Sequence, residues 1–196
     1  MRKPCIAGTE KKILKYLFGV GRASSDVRRI IITHSDGDHV GGLAALKMAT
    51  SARVYANEIE AEAIAAGRAS RELKPRGLRR VLFGLVAGLI KTAPATVDEF
   101  LTEGQVLPAL GGLRVVETFG HTPGHISLFA PSVGVLFSGD SIVSGNGKLV
   151  PSRGGNTWDM NKALEAVRLQ AALGAQIVCS GHGPVVKDAA GKFPQV

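Results

Sequence analysis

The pattern of hydrophobic and polar positions divides the first half of the chain into helices and strands. Apolar residues at helical spacing follow Thr9, which we expect to be the N-cap of a helix that ends near Val20. The β-branched run from Val27 to Thr33 is typical of a buried strand. Further along, the pattern predicts a helix over residues 43–48, a strand over residues 53–56 and a helix capped by Asn57.

The second half of the chain is richer in strand patterns. Glycine and proline separate predicted strands over residues 113–119, 126–130, 135–138 and 176–180. A further helix is expected to begin at an Asn156 or Thr157 cap and to end near Ala172. Strands in both halves, with helices between them, predict an α/β (or α+β) layered architecture. The length of 196 residues fits a single domain over residues 1–196.

One apolar run and one basic stretch lie in the middle of the chain. The run over residues 81–90 predicts a short helix, either buried or part of a lid over residues 68–97, and it is too short to span a bilayer. Much of the net charge of +8 lies over residues 68–80. Such a stretch could bind an anionic substrate or a nucleic acid, but no aromatic residue is interleaved for base stacking. A solvated basic loop is therefore the favoured interpretation, and we expect no nucleic-acid partner.

The cysteines and the start of the sequence bear on the cellular compartment. Cys5 and Cys179 lie far apart and form neither a disulfide framework nor a zinc-finger pattern. Residues 1–12 lack the apolar core of a secretion signal, so we expect a soluble cytoplasmic protein. Cys179 lies in an apolar strand pattern, where a free cysteine behaves as a small hydrophobic residue. No feature of the sequence indicates the oligomeric state.

All five histidines fall where a strand pattern meets a loop, beside or near a glycine. His34 and His39 flank two aspartates directly after the first predicted strand, and His182 follows the last one. His121 and His125 lie in one short segment between two predicted strands. Strand ends are rigid anchors and glycine permits tight turns, so this placement is typical of metal ligands.

The first histidine cluster predicts a metal site. Because alternate residues of an extended segment point to the same side, we expect His34, Asp36 and Asp38 to converge, with His39 turned toward a neighbouring ion. Imidazole and carboxylate donors together suit zinc, iron or manganese. The motif alone is also compatible with a polar surface loop.

Four motifs in order resemble the metallo-β-lactamase-fold hydrolases, and the chain is most similar to their glyoxalase II-like branch. Thr33-His-Ser-Asp-Gly-Asp-His-Val-Gly-Gly42 is similar to the opening THxHxDHxGG segment of that family. Gly120-His-Thr-Pro-Gly-His125, Ser138-Gly-Asp140 and Ser180-Gly-His182 follow in the family order. The resemblance extends over nearly the whole chain and implies a four-layer αββα sandwich. Family members usually have strands ahead of the first helix, so we expect the N-terminal strands to be shortened or missing.

The resemblance implies two divalent metal ions, with zinc expected and iron or manganese as alternatives. Carried over by position, His34, Asp36 and His121 hold the first ion. Asp38, His39 and His182 hold the second ion, and Asp140 bridges both. His125 matches a position that is not usually a ligand, so a structural role is expected for it.

Position 36 departs from the family pattern, which usually has histidine there. The extra negative charge of Asp36 is expected to make a metal-bound water less acidic. Its hard oxygen ligand is expected to shift the metal preference slightly toward iron or manganese, although zinc stays the expected metal. On the sequence alone, Asp36→His is therefore expected to raise zinc occupancy.

The implied activity is hydrolysis of a small thioester, lactone or ester by a metal-bound hydroxide, with Asp38 as the catalytic residue that orients the nucleophile. One alternative is a mononuclear iron enzyme similar to persulfide dioxygenases. A nuclease and a non-catalytic metal-binding scaffold are the less favoured alternatives. Substrate choice in a shared fold depends on loops outside the metal site, so the sequence names no particular substrate.

Overall fold

A computed structural model describes residues 8–71, 92–152, 154 and 157–194 of the chain. Contacts divide the chain into two compact units, an N-terminal unit over Lys3–Phe100 and a C-terminal unit over Leu101–Val196. The predicted apolar helix over residues 81–90 and most of the predicted lid lie outside the described residues.

The N-terminal unit contains a small parallel sheet with the strand order β1-β2-β3. Its buried core includes Ile32, Val40, Leu43, Val54 and Ile64, which come from the sheet and from the helices that follow its strands. The helices and strands are α1 (Glu10–Gly19), β1 (Arg29–Ile31), α2 (Gly37–Val40), α3 (Leu43–Thr50), β2 (Arg53–Ala56), α4 (Glu58–Ala65) and β3 (Glu99–Phe100).

The C-terminal unit contains a six-stranded sheet with the strand order β11-β10-β7-β6-β5-β4, in which only β10 and β7 pair in parallel. A separate hairpin joins β8 to β9. Val116, Leu136, Ile142, Val167 and Val178 are among the residues of its buried core. The elements are β4 (Val106–Leu107), β5 (Leu113–Glu117), β6 (Ile126–Ala130), β7 (Val135–Gly139), β8 (Ile142–Gly145), β9 (Lys148–Pro151), α5 (Met160–Ala172), β10 (Ile177–Ser180) and β11 (Val186–Lys187).

Most predicted elements are present, and the α/β (α+β) class is confirmed. Asn57 caps α4 as predicted, because its side chain accepts a hydrogen bond from the Ile59 N–H at 3.0 Å. The first strand is shorter than the apolar run that predicted it, since only Arg29–Ile31 pairs with β2.

The predicted cap of the last helix is wrong. Asp159, not Asn156 or Thr157, accepts the N–H groups of Asn161 and Lys162 and begins α5. Tertiary hydrogen bonds explain the shift, because the Trp158 and Asp159 N–H groups donate to the carbonyls of residues 121 and 120. These contacts hold the chain outside the helix until residue 159.

Among the described residues, no helix combines the length and the apolar character needed to cross a membrane.

Asp98 joins the segment that precedes β3 to two other elements of the N-terminal unit. Its carboxylate accepts hydrogen bonds from Lys47 Nζ at 2.8 Å and from the Val54 N–H at 2.7 Å. The hydrogen bond from Lys47, followed by that from Val54, holds the pKa of Asp98 below its usual value. Asp98 thus fastens α3 and β2 to the segment that leads into β3.

Asp98→Asn is expected to lower the free energy of unfolding by about 1 kcal/mol at pH 7, since solvent screening keeps such a pair weak. The folded pKa is lowered, so this contribution is present above the unfolded pKa of about 3.9. It is lost as the pH falls through the lower folded value. Urea unfolding of both proteins at pH 7 and pH 3 checks this, with the exposed Glu62→Gln as the control. An equal difference at both pH values would contradict it.

Candidate metal centre

The first candidate ligands lie in the loop that follows β1 and in the short helix α2. His34 is fully buried, and its Nδ1 lies 3.1 Å from the Thr33 hydroxyl. Asp36 has extended backbone and is the N-cap of α2, which carries Asp38 and His39. The expectation that His34, Asp36 and Asp38 share one extended segment is therefore wrong for Asp38. Helical hydrogen bonds from Val40 and Gly41 to residues 36 and 37 turn the chain at this point.

The N-terminal unit brings these predicted ligands together. The rings of His34 and His39 have centroids 4.0 Å apart. His34 Nε2 lies 3.7 Å from Asp36 Oδ2, and His39 Nε2 lies 4.0 Å from Asp38 Oδ2. The side chain of Asp38 is 38% exposed, whereas that of His34 is inaccessible. The cluster therefore has a buried side at His34 and a solvent-facing side at Asp38.

Glu60 supports this ligand loop and was not predicted as a site residue. It is fully buried on α4, and its Oε2 accepts the Ser35 N–H at 2.8 Å. Its Oε1 accepts the Ser70 hydroxyl, and the Ser70 N–H donates to Ser35 Oγ, both at 2.8 Å. Glu60 lies four residues before the buried Ile64, so helical spacing could have indicated that this acid faces inward.

Arg71 contacts a predicted ligand directly. Its Nη2 donates to Asp36 Oδ2 at 2.5 Å, and its side chain is only 3% exposed. The interpretation of residues 68–80 as a solvated basic loop is therefore wrong for Arg71. Burial of a guanidinium is costly unless a carboxylate compensates its charge, and Asp36 provides that compensation.

The C-terminal unit brings together the other three predicted ligands. His121 lies between β5 and β6, Asp140 follows β7 and His182 follows β10. Asp140 Oδ2 lies 3.8 Å from His121 Nε2 and 3.1 Å from His182 Nε2. The other ring nitrogen of His121, Nδ1, lies 2.8 Å from the Ser152 hydroxyl, which fixes the orientation of the ring.

His125 holds the backbone that carries Asp140. Its Nε2 accepts the Asp140 N–H at 3.0 Å, and its Nδ1 lies 2.8 Å from Thr118 Oγ1. Because Nε2 is an acceptor, Nδ1 carries the proton and donates to Thr118. These contacts support the structural role that was expected for His125.

The chemistry of the donors fits divalent metal ions. Each unit presents imidazole nitrogens and carboxylate oxygens from neighbouring positions, with no thiolate among them. Such mixed nitrogen and oxygen sets suit zinc, iron and manganese. Burial raises the pKa of the Cys179 thiol, so this cysteine is less ionised at neutral pH than an exposed one. A nucleophilic role for Cys179 gains no support.

The chain belongs to the metallo-beta-lactamase superfamily, because the family model of that name matches residues 6–182. This superfamily binds divalent metal ions, typically zinc, and its members related to this chain include proteins named as hydrolases. The predictions of the fold and of a metal-dependent hydrolase are confirmed at the level of the family.

One relative is the hydroxyacylglutathione hydrolase of Rhodobacter capsulatus, which is 33% identical over 158 residues. The match covers 80% of this chain, which spans about half (48%) of the length of that relative. Hydroxyacylglutathione hydrolases are also called glyoxalase II, so this similarity agrees with the predicted resemblance to the glyoxalase II-like branch.

Solved structures that share the fold include two examples. A metallo-beta-lactamase family protein from Thermus thermophilus has a TM-score of 0.73 and 22% identity, over 97% of this chain and 67% of that one. TTHA1623, solved in a di-iron-bound form, has a TM-score of 0.68 and 23% identity, over 94% of this chain and 83% of that one.

Proposed function

We propose that this chain hydrolyses a small thioester with the help of two divalent metal ions. The observation that carries the proposal is the gathering of imidazole and carboxylate donors at strand ends in each unit, at the positions of all four family motifs. The choice of a thioester is supported by the 33% identity to a hydroxyacylglutathione hydrolase. Lactones and other small esters react by the same chemistry and are the closest alternatives.

The ligand assignment in this proposal follows the order of the motifs. His34, Asp36 and His121 are assigned to the first ion. The second ion is assigned to Asp38, His39 and His182, and Asp140 is assigned to both. Zinc is the expected metal, and the oxygen donor at position 36 keeps iron and manganese as alternatives. The di-iron form of TTHA1623 supports iron as an alternative in this fold.

Bound divalent ions would polarise the substrate carbonyl, and they would lower the pKa of a bound water molecule to near neutrality. The side chains of this chain have separate roles around that chemistry. Asp38 Oδ2 is proposed to accept a hydrogen bond from the attacking water and to hold its proton. Ser152 keeps His121 in one orientation, and His125 keeps the backbone of Asp140 in place.

The basic composition suggests a nuclease as an alternative function, but the structure weakens that suggestion. Arg71, one of the basic residues over 68–80, is buried against Asp36 and is not available to a phosphate backbone. We therefore retain small-molecule hydrolysis as the proposed function.

A panel of substrates tests this proposal. Purified protein loaded with zinc is expected to hydrolyse acyl-glutathione thioesters faster than lactones, β-lactams or phosphodiesters, and a chelator is expected to abolish the activity. Oxygen consumption with a glutathione persulfide is the measurement for the alternative iron enzyme. Chelator-resistant hydrolysis, or persulfide oxidation without thioester hydrolysis, would contradict the proposal.

A further inference from the structure

Position 36 departs from the THxHxDHxGG pattern that the opening segment resembles, because it holds Asp36 instead of histidine, and Arg71 lies against this aspartate. The two side chains form a short ion pair at 2.5 Å, in which Arg71 is 3% and Asp36 15% exposed. A pair this well shielded from water differs from a surface salt bridge, because removing either partner leaves the other charge poorly solvated.

The ion pair is held by a scaffold of three polar residues. Ser35 precedes Asp36 and Ser70 precedes Arg71, and the two serines are joined by a hydrogen bond from the Ser70 N–H to Ser35 Oγ. The buried carboxylate of Glu60 accepts from both serines through separate oxygens. The segment that carries Arg71 is therefore bound to the ligand loop through Ser70 and Ser35, which directly precede Arg71 and Asp36.

The charges of Asp36 and Arg71 cancel. A carboxylate at position 36 adds one negative charge relative to histidine, and the guanidinium adds one positive charge beside it. The pair thus has no net charge, like the uncharged imidazole of a histidine at this position. The sequence-based expectation for Asp36 left out this compensating charge, because Arg71 lies 35 residues away in the chain.

We propose that Arg71 is a positioning residue that holds and neutralises Asp36, so that the two together take the place of a histidine ligand. The inference rests on the proposed function, since it assigns Asp36 to the first metal ion. It has a direct consequence for substitution. Histidine at position 36 is expected to support full zinc affinity only when the positive charge of Arg71 is removed as well.

A double-mutant cycle with Asp36→His, Arg71→Met and the double variant tests the inference. The readouts are the zinc affinity of the metal-free protein, measured by competition with a chromophoric chelator, and the melting temperature of the metal-free protein. Asp36→His alone is expected to weaken zinc binding about tenfold or more, because it leaves a shielded guanidinium uncompensated beside the ion. The double variant is expected to recover to within about threefold of the wild type.

Arg68→Met is the matched control, because Arg68 is an exposed arginine of the same segment that donates to the Ala69 carbonyl. It removes the same charge and is expected to leave zinc affinity and melting temperature unchanged. A purely structural ion pair would lower the melting temperature in both single variants without any recovery of zinc affinity in the double variant.

The outcomes separate this inference from the proposed function. Wild-type protein that binds zinc and cleaves thioesters, with additive effects in the cycle, would overturn the role of Arg71 alone. Stronger zinc binding by Asp36→His alone would also overturn it. Wild-type protein that binds neither zinc nor iron nor manganese would overturn the proposed function and this inference together.

Discussion

His121→Ala is expected to lower kcat/KM for thioester hydrolysis by about a thousandfold, because the loss of one proposed ligand would remove several kcal/mol of transition-state stabilisation that a bound metal ion would supply. His121 is nearly inaccessible to solvent, and its ring lies between the Ser152 hydroxyl on one side and Asp140 on the other. Zinc content by elemental analysis should fall in the same variant. The melting temperature of the metal-free variant should stay close to that of the metal-free wild type, although the activity is nearly lost.

Ser152→Ala is a milder substitution at the same site and serves as the control for His121→Ala. It keeps the imidazole but removes the hydrogen bond to Nδ1, so an effect of about ten- to a hundredfold on activity or metal affinity is expected. Equal effects of the two substitutions would contradict the expectation that losing the imidazole costs more than losing its hydrogen bond to Ser152. An active His121→Ala protein with full zinc content would contradict the assignment of His121 as a ligand.

Gly183→Ala is expected to cost about 4 kcal/mol or more in the free energy of unfolding, or to prevent folding, because it combines backbone strain with a severe clash. Gly183 follows His182 and has a φ of +101°, which favours glycine. A Cβ atom there would lie 1.9 Å from the Ser144 carbonyl oxygen. The Ser144 N–H in turn donates to the His182 carbonyl, so the strain would fall on the backbone that carries a predicted ligand.

Gly174→Ala is the matched control for this prediction. Gly174 also has a positive φ, at +67°. Among the described residues other than its two chain neighbours, no atom lies within 4 Å of the position that a Cβ would occupy. Its cost should be about 1–2 kcal/mol, which is the penalty of the left-handed conformation alone. Urea unfolding of both variants measures the difference, and equal losses of stability would contradict the clash at Gly183.

The predicted ligands could be found from the sequence because they lie in local motifs. His34 and Asp36 are two residues apart, and Asp140 and His182 each follow a strand that its apolar pattern predicts. The structure gathers these residues within their own units. Their joint assignment to two ions stays a prediction, as does the single domain over residues 1–196.

Arg71 and Glu60 could not be assigned in the same way, because their roles depend on tertiary contacts. Arg71 reaches Asp36 across 35 positions of sequence, and Glu60 reaches Ser35 across 25. Composition placed Arg71 in a solvated basic stretch, although its guanidinium is buried. The Asp159 cap was missed for a related reason, since contacts with residues 120 and 121 decide where that helix begins.

Zinc titration of metal-free protein, followed by elemental analysis and thioester hydrolysis on the same samples, tests whether this chain is a dinuclear metal-dependent hydrolase. Two zinc ions are expected to bind per chain, and activity is expected to return as they bind. Hydrolysis by protein that contains no metal, or full zinc loading without any hydrolysis of thioesters, lactones or esters, would contradict it.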